Sequence, residues 1–232
     1  MSHLSPQLQH GIRRLLSRAT NPWVKVASSQ LQGAGRGVFA AVPIPQGTPV
    51  CLYPGIFSPG LPLGAAFADD ATLFLGSASL PSGVHPPEKN AYIMNLKDVG
   101  GYIDGLATEG LVDDDDHNYN SHAVAHLVNH SSQESNVKVG SFWWHEILHQ
   151  TCNDENNGKD ESLYNIPNKR RCDGTPWFFS TLNNEMTFHE ETNPCAGAVF
   201  CAARDLVQHE EIYLHYALKE PLPEWAKGWY NG

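Results

Sequence analysis

The sequence lacks the features of a membrane protein, a secreted disulfide-rich protein or a zinc-ribbon protein. No apolar run approaches the roughly 18 residues that a transmembrane helix requires. No apolar segment follows the first basic residues, so we expect no secretory signal. The cysteines form no C-x-x-C pair, and they are Cys51, Cys152, Cys172, Cys195 and Cys201. Their odd number and wide spacing argue against a disulfide framework and a structural zinc site, and predict a soluble protein in an intracellular compartment, the nucleus or the cytoplasm.

Acidic residues are missing from the first part of the chain. Residues 1–68 contain five basic side chains and no acidic one, and because the net charge of the whole chain is −10, residues 69–232 carry −15. An acidic body of this kind is a poor nucleic-acid binder but can attract a basic polypeptide by long-range electrostatics. We therefore expect a basic polypeptide partner, with no direct binding to nucleic acid or membrane. An acidic surface that serves only solubility is the alternative.

The arginine-rich beginning of the chain has the periodicity of a helix. Apolar residues recur at helical spacing between residues 5 and 18, at Leu8, Ile12, Leu15 and Leu16. A short helix that packs on the following domain and an organelle transit peptide both have this pattern. We assign residues 1–22 to a basic helical segment, and the sequence leaves organelle targeting open.

From residue 23 onward the chain is predicted to be mainly β with short helices, because short apolar stretches alternate with Gly, Pro and Ser. The predicted strands are WVKVASS, GAGRGVFAAV, TPVCLYPGIF, AYIMNL, GGYIDGL, NVKVGSFWW, GAVFCAARDL and EEIYLHYAL, with a turn at residues 207–210 before the last. HAVAHLVNHSS is predicted to be a short helix that enters a loop. Polar or Pro- and Gly-rich insertions are expected at about residues 57–90, 108–121 and 150–195, and residues 219–232 form an aromatic tail.

Four segments occur in an order that points to a family. GAGRGVFAA, LYPG, NHS and EEIYLHY resemble, in that order, the signature segments of SET-domain protein-lysine methyltransferases, over roughly residues 23–218. Each segment alone has an ordinary explanation, such as a tight turn or a capping tripeptide. The order and the separations of all four are hard to obtain by chance. The resemblance implies a SET-domain β fold of small sheets with a C-terminal pseudoknot.

The resemblance implies S-adenosyl-L-methionine (S-adenosylmethionine) as the cofactor and indicates residues that bind it. The family's GRGVFA segment is matched at Gly35, Arg36 and Gly37, where glycines let the backbone approach the methionine end of the cofactor. HLVNHSSQESN resembles RFINHSCxPN. Asn129 and His130 are therefore expected to hold the adenine and the amino group, partly through main-chain atoms.

Three further matches concern strands around the expected site. LYPG resembles Y-x-G-E, which makes Tyr53 a candidate residue of the methyl-transfer pore, although Ile56 stands where the family has Glu. NAYIMNL resembles Y-x-F-x-L, so Tyr92 is a candidate cofactor contact. GYIDG resembles the family's YxIDA strand, with Asp104 in the acidic position.

The C-terminal match is the longest and supplies the candidate catalytic residue. ARDLVQHEEIYLHYAL resembles lrDIxxGEELTxDY, and Tyr216 falls on the family's catalytic tyrosine. His209 replaces the usual Gly and His215 the usual Asp. Leu214 stands where many members have an aromatic residue that limits the number of methyl groups, so mono-, di- and trimethylation stay open. No Cys follows Cys201, so this chain does not have the three-cysteine zinc site that many members carry after the domain.

These residue types suit methyl transfer to lysine. The pKa of lysine in water is about 10.4, so the amine must lose its proton before it attacks a sulfonium methyl group, and an apolar channel lowers that pKa. Tyr53 and Tyr216 would line the channel and orient the amine. Alignment of the reacting atoms would supply much of the remaining rate enhancement. The sequence therefore predicts a protein-lysine N-methyltransferase that needs no metal and acts on a lysine in a protein or peptide, such as a basic histone tail.

Two other functions are compatible with parts of the sequence. HEILH, residues 145–149, fits the H-E-x-x-H motif of zinc peptidases, in which Glu146 would be the general base. Against it, the family alignment puts HEILH on the strand after the asparagine motif or in the insertion that follows, and no third ligand is well spaced. The departures at Ile56, His209 and His215 leave open a SET fold that binds peptide without catalysis.

Overall fold

The computed structural model describes residues 4–59, 93–96, 98–105, 120–148, 178–180 and 195–216. Within them the chain forms 11 strands in three small sheets, with two short α-helices. The predicted class, mainly β with short helices, is confirmed. No helix within these ranges is long and apolar enough to cross a membrane.

The bounds of the elements follow the chain. The strands are β1 Val24–Ser28, β2 Arg36–Ala40, β3 Pro49–Tyr53, β4 Gly55–Pro59, β5 Ile93–Leu96, β6 Gly101–Asp104, β7 Asn129–His130, β8 Val137–Trp143, β9 Phe178–Ser180, β10 Ala196–Ala202 and β11 Glu211–Leu214. The helices are α1 Pro6–Leu16 and α2 Trp144–Leu148, together with a 3₁₀ helix at Ala125–Leu127.

The strands are arranged in the orders β1-β2-β11-β7, β3-β10-β8 and β5-β6-β4-β9. In the first sheet β11 is central, antiparallel to β2 and parallel to β7. Main-chain bonds also join the segment after β7 to β11, from Ser131 N to Leu214 O at 3.2 Å and from Asn136 N to Tyr213 O at 3.0 Å. The asparagine segment and the C-terminal strand are therefore packed together, as the predicted pseudoknot requires.

The apolar core is centred on the sheet β3-β10-β8. β3 is buried along its whole length and β10 everywhere except Cys201, because both strands are nearly continuous apolar runs with cover on both faces. Phe142 of β8 packs edge-on against Trp144, with ring centroids 5.0 Å apart. It lies over Gly197, where an added Cβ would come within 2.4 Å of the Phe142 ring.

Helix α1 is part of this packing. The Ser5 side chain caps it by accepting a hydrogen bond from Leu8 N at 3.2 Å, and Pro6 begins the first turn. The apolar stripe predicted from the sequence is the face that contacts α2 and β3, with Ile12, Leu15 and Leu16 buried. The organelle-targeting alternative stays a prediction.

Three local expectations were wrong. TPVCLYPGIF forms two strands, because Pro54 has no amide hydrogen for the ladder and Gly55 turns the backbone at φ 136°. HAVAHLVNHSS contains the predicted short helix, at Ala125–Leu127, but the helix does not pass directly into a loop, because the two-residue strand β7, which pairs with β11, comes between them. Of the two places expected for HEILH, the strand is wrong, because β8 ends at Trp143 and the described part of HEILH, as far as Leu148, is in helix α2 directly after that strand.

Two other findings concern the predicted layout. The turn predicted at residues 207–210 lies between β10 and β11, where Glu210 N donates to Val207 O at 3.2 Å, and these two strands belong to different sheets. Within the stretch predicted as an insertion at 150–195, β9 pairs parallel with β4. Most of the other predicted insertions and the tail at 219–232 lie outside the described residues.

Candidate active site

Five of the eight site residues predicted from the sequence lie at one meeting point of three strands, and a sixth, Gly35, lies directly before it. β11 pairs with β2 through Ile212 and Val38, and with β7 through Tyr213 and Asn129. We call residues 36–38, 129–130 and 211–216 the strand junction. Residues 29–35, which lead into β2, cover one side of it. Segments that are far apart in the chain thus contribute to one small region.

Asn129 ties these segments together through its side chain. Its amide nitrogen donates to Arg36 O at 3.0 Å, to Ser29 Oγ at 3.1 Å and to Glu211 Oε1 at 3.2 Å. The two amide hydrogens are thus shared among three acceptors. The Asn129 Oδ1 atom accepts no hydrogen bond from the described residues, and the side chain is only half-buried. That oxygen is free to accept a hydrogen bond from an ammonium group of a ligand.

The glycines at the start of β2 have two different roles. Gly35 adopts φ 70°, which other residues rarely do, and an added Cβ there would meet no atom within 4 Å. Its carbonyl oxygen accepts from Ser29 N at 2.8 Å, which closes the turn beside open space. At Gly37, by contrast, an added Cβ would lie 2.2 Å from Glu211 Oε1. Gly35 supplies a backbone conformation, and Gly37 supplies room.

His130 holds Tyr216 in place. The amide of Tyr216 donates to His130 Nδ1 at 3.1 Å, and the two rings are 5.2 Å apart. The amide can only donate, so this bond needs Nδ1 without a proton. The Leu214 carbonyl, 3.2 Å from the same atom, can only accept and needs Nδ1 with a proton, so the tautomer of the ring decides which of the two bonds forms. Burial lowers the pKa of His130, the Leu214 carbonyl opposes this, and nearby His215 lowers the pKa further. A neutral ring agrees with the geometry.

The Tyr216 hydroxyl is also fixed by the segment before β7. It donates to Val128 O at 2.8 Å, while the side chain stays only partly buried. The hydroxyl proton is therefore directed at Val128 O, and the hydroxyl oxygen has a set position.

The other two predicted tyrosines are not in the junction. Tyr53 ends β3 in the second sheet and stacks on Phe200, with ring centroids 6.2 Å apart. Its strand is linked to the segment before Asn129, because Leu52 N donates to His122 O at 2.7 Å and the 3₁₀ helix packs against both β2 and β3. Tyr92 lies outside the described residues.

Glu211, the acidic residue at the centre of the junction, was not among the site residues predicted from the sequence. Glu211 is 1% exposed, and its carboxylate accepts from Ser29 Oγ at 2.6 Å and Gln30 N at 2.7 Å. The Tyr213 hydroxyl donates to it at 2.9 Å, in addition to the contact from Asn129. A signal was present, because a glutamate opens a strand whose other residues, Ile212 to Leu214, are all buried and mostly apolar.

The neighbouring Glu210 belongs to the turn before β11. It forms an ion pair with Arg204 at 2.5 Å and accepts from Val207 N at 3.0 Å and Asn136 Nδ2 at 3.0 Å. Burial acts to raise the pKa of Glu210, but these hydrogen bonds outweigh it and lower the pKa. In the same turn His209, which replaces the family's Gly, has φ 71°, in the left-handed region that favours glycine.

The HEILH segment packs as a structural element. Arg13 of α1 donates to Ile147 O at 2.7 Å and Glu146 O at 2.9 Å, and so caps the carbonyl end of α2. His145 stacks on Trp143 at 6.3 Å. Among the described residues no group of three or more His, Cys, Asp or Glu side chains could hold a metal ion, and His149 lies outside them.

Comparison with known proteins gives one family match. The model of the SET domain matches residues 35–217. Similar solved structures include the Chaetomium thermophilum polycomb repressive complex 2, with 14% identity, a TM-score of 0.38, and 88% of this chain but 16% of that chain covered. KRYPTONITE in complex with mCHH DNA, H3(1-15) peptide and SAH has 16% identity, a TM-score of 0.39, and 90% of this chain and 27% of that chain covered. The chain thus spans less than a third of either protein. A search of curated proteins found no match.

Proposed function

This chain belongs to the SET-domain family, and we propose that it is an S-adenosylmethionine-dependent methyltransferase that transfers a methyl group to a lysine side chain of a protein substrate. The strand junction supports the proposal best. There the open turn at Gly35, the side chain of Asn129 and the ring of Tyr216 are held on adjoining strands by hydrogen bonds.

The residues present fit the cofactor. S-adenosylmethionine carries an ammonium group and a carboxylate at its methionine end and supplies, when bound, an electrophilic methyl group on a sulfonium. Asn129 Oδ1 is available to accept from the ammonium group, and the turn closed by Gly35 presents main-chain groups beside open space. The main chain of Asn129 and His130 would bind the adenine.

Tyr216 is the candidate catalytic residue. Its hydroxyl donates to Val128 O and its amide to His130, so both ends of the residue are fixed before substrate binds. The phenol oxygen would accept a hydrogen bond from the lysine amine and orient its lone pair. Such preorganisation avoids reorganisation at the moment of reaction and is the main source of catalysis in many enzymes.

The lysine must be neutral to react. Apolar surroundings disfavour the ammonium form and lower the pKa of a lysine that enters them. Leu214, which is 9% exposed, and the ring of Tyr216 supply such surroundings, and Tyr53 would line the channel from the second sheet. Because Leu214 is smaller than the aromatic residue that many members have at this position, the channel is compatible with mono-, di- and trimethylation.

A basic segment is the proposed substrate. Residues 69–232 carry −15, and a surface of this charge attracts lysine-rich peptides, such as histone tails, over long distances. We also propose an intracellular location in the nucleus or cytoplasm, because the described cysteines Cys51, Cys195 and Cys201 are free thiols. Recovery of the protein from the secretory pathway in cell fractionation would contradict this location.

The test is transfer of tritiated methyl groups from S-adenosylmethionine to purified histones and to lysine-containing peptide arrays. Tyr216→Phe should lower the rate about 100-fold, because one fixed hydroxyl at the reacting centre is lost. Tyr102→Phe is the control, since it makes the same chemical change at a buried tyrosine in another sheet, and it should keep the wild-type rate. A wild-type protein that binds S-adenosylhomocysteine but transfers nothing would be a non-catalytic SET fold.

A further inference from the structure

We propose that Glu211 is a positioning residue, which fixes the turn at residues 29–35 and the side chain of Asn129 for cofactor binding. The inference rests on the proposed function, because it assigns a task to a residue beside the cofactor site. Glu211 is 1% exposed and acts through its neighbours, not by touching the cofactor.

The carboxylate joins three separate segments. One oxygen, Oε1, accepts from Ser29 Oγ and Asn129 Nδ2, and the other, Oε2, accepts from Gln30 N and the Tyr213 hydroxyl. Each oxygen therefore has two donors. A buried carboxylate needs such partners, because an uncompensated charge is strongly unfavourable in the interior. The turn, β7 and β11 are thereby held in one relative position.

Gly37 provides the space for this group. An added Cβ at Gly37 would lie 2.2 Å from Glu211 Oε1 and 3.2 Å from Asn129 Nδ2. Any larger residue at position 37 would push the carboxylate away from its donors. The glycine of the family segment is thus explained by its contact with Glu211, whereas Gly35 is explained by its backbone conformation.

A glutamine cannot replace this glutamate without loss. In either orientation its NH₂ group would face one donor that cannot turn into an acceptor, either the amide of Gln30 or the side-chain nitrogen of Asn129. The hydroxyls of Ser29 and Tyr213 can rotate to accept, but these two nitrogens cannot. Glu211→Gln therefore keeps the size of the side chain and breaks one fixed contact to the turn or to Asn129.

Tyr213 reinforces the arrangement from the same strand. Burial, and then the hydrogen bond to Glu211, raise the pKa of Tyr213, so the phenol keeps its proton and remains a donor. Tyr213→Phe removes one of the four donors and leaves the contact with Gln30 in place. It is therefore a milder variant than Glu211→Gln.

The adjacent Glu210 offers a matched control. It is also bonded through both oxygens, but to Arg204, Asn136 and Val207, all outside the turn that covers the junction. Glu210→Gln makes the same chemical change one residue away. A purely structural effect of losing a glutamate before β11 would appear in both variants.

The experiment combines two readouts on the full chain. Isothermal titration with S-adenosylhomocysteine measures affinity, and hydrogen exchange of the Gln30 and Leu31 amides in the ligand-free protein measures the order of the turn. Glu211→Gln should weaken binding about 10-fold or more and speed exchange at Gln30, since hydrogen bonds to a charged group are involved. Tyr213→Phe should give a smaller change in the same direction, and Glu210→Gln should leave affinity within about 2-fold of wild type.

The outcomes separate this inference from the proposed function. If wild-type protein does not bind S-adenosylhomocysteine, the proposed function fails, and the inference fails with it. If wild type binds, and Glu211→Gln binds equally well with unchanged exchange at Gln30, the inference is overturned while the proposed function stands. If Glu211→Gln does not fold, Tyr213→Phe decides, and wild-type affinity with wild-type exchange in that variant contradicts the inference.

Discussion

The strand junction and the sheet β3-β10-β8 are stabilised in different ways. In the sheet, side chains such as Leu52, Val199 and Phe200 are almost completely buried and contact other apolar groups. In the junction, the buried Glu211 and the half-buried Asn129 are joined by a hydrogen bond, and the buried His130 contacts the main chain of β11. Apolar packing depends on volume, whereas a polar network depends on every donor having its acceptor. We therefore expect the sheet to set stability and the junction to set ligand binding.

The largest effect on stability is expected in the sheet. Phe142→Ala removes a ring that is 1% exposed and that packs against Trp144. The loss should be about 3–5 kcal/mol in the free energy of unfolding, measured by urea denaturation. The folded fraction should still bind S-adenosylhomocysteine. A loss below about 1 kcal/mol would show that this sheet is not the main source of stability.

Gly37→Ala should affect both properties. The new methyl group collides with the Glu211 carboxylate, which its donors hold in place, so we expect a loss of about 1–3 kcal/mol and weaker binding of S-adenosylhomocysteine. Gly140→Ala is the control, because its Cβ would meet Val199 at an ordinary 3.5 Å. Equal effects of the two substitutions would remove the distinction between junction and sheet.

Stability should also depend on pH through His126, which lies in the 3₁₀ helix that packs against β2. Burial, and then the charge of Arg36, lower the pKa of His126 to about 3. The native state therefore excludes a proton that the unfolded chain binds below its ordinary value of about 6.5. This contribution to the free energy of unfolding is fully present above about pH 6.5. The free energy of unfolding should fall by about 2 kcal/mol between pH 6.5 and 5, because the lowered pKa of His130 acts in the same direction.

Urea unfolding at several pH values measures this slope. His126→Gln should flatten it, and the same substitution at the exposed His10 on α1 is the control. A slope that is identical in wild type and His126→Gln would contradict the assignment, whatever the absolute stability of the variant.

The smallest effect is expected at the turn before β11. His209 has φ 71°, a backbone conformation that costs about 1–2 kcal/mol for a residue with a side chain. A glycine there removes this strain but loses more conformational entropy on folding, so the net gain in stability is smaller. His209→Gly should therefore raise Tm by about 1–2 °C. It removes a 3.3 Å contact between His209 Nδ1 and Lys25 Nζ and should leave ligand affinity unchanged. A lower Tm would mean that this contact outweighs the backbone strain.

The residues of the junction could be predicted from family motifs but not from the physical pattern of the sequence alone. The order of the segments located Asn129 and Tyr216, and apolar stretches located most strands. Which strands pair could not be derived, because β11 lies between β2 and β7, which are distant in the chain. Only the fold shows that Glu211 lies under Gly37. Helix α2 was missed because five residues are too few for a helical period, and tertiary contacts such as those of Arg13 hold it.

The most direct test of the account is isothermal titration of S-adenosylhomocysteine into wild type, Asn129→Ala and Asn21→Ala. Asn21 is a control, because its side chain also makes several hydrogen bonds, to Val50, Ser121 and Trp23, none of which belongs to the junction. We predict saturable binding to wild type, loss of binding in Asn129→Ala, and wild-type affinity in folded Asn21→Ala. No binding to wild type, or equal binding to wild type and Asn129→Ala, would contradict a cofactor site at the strand junction.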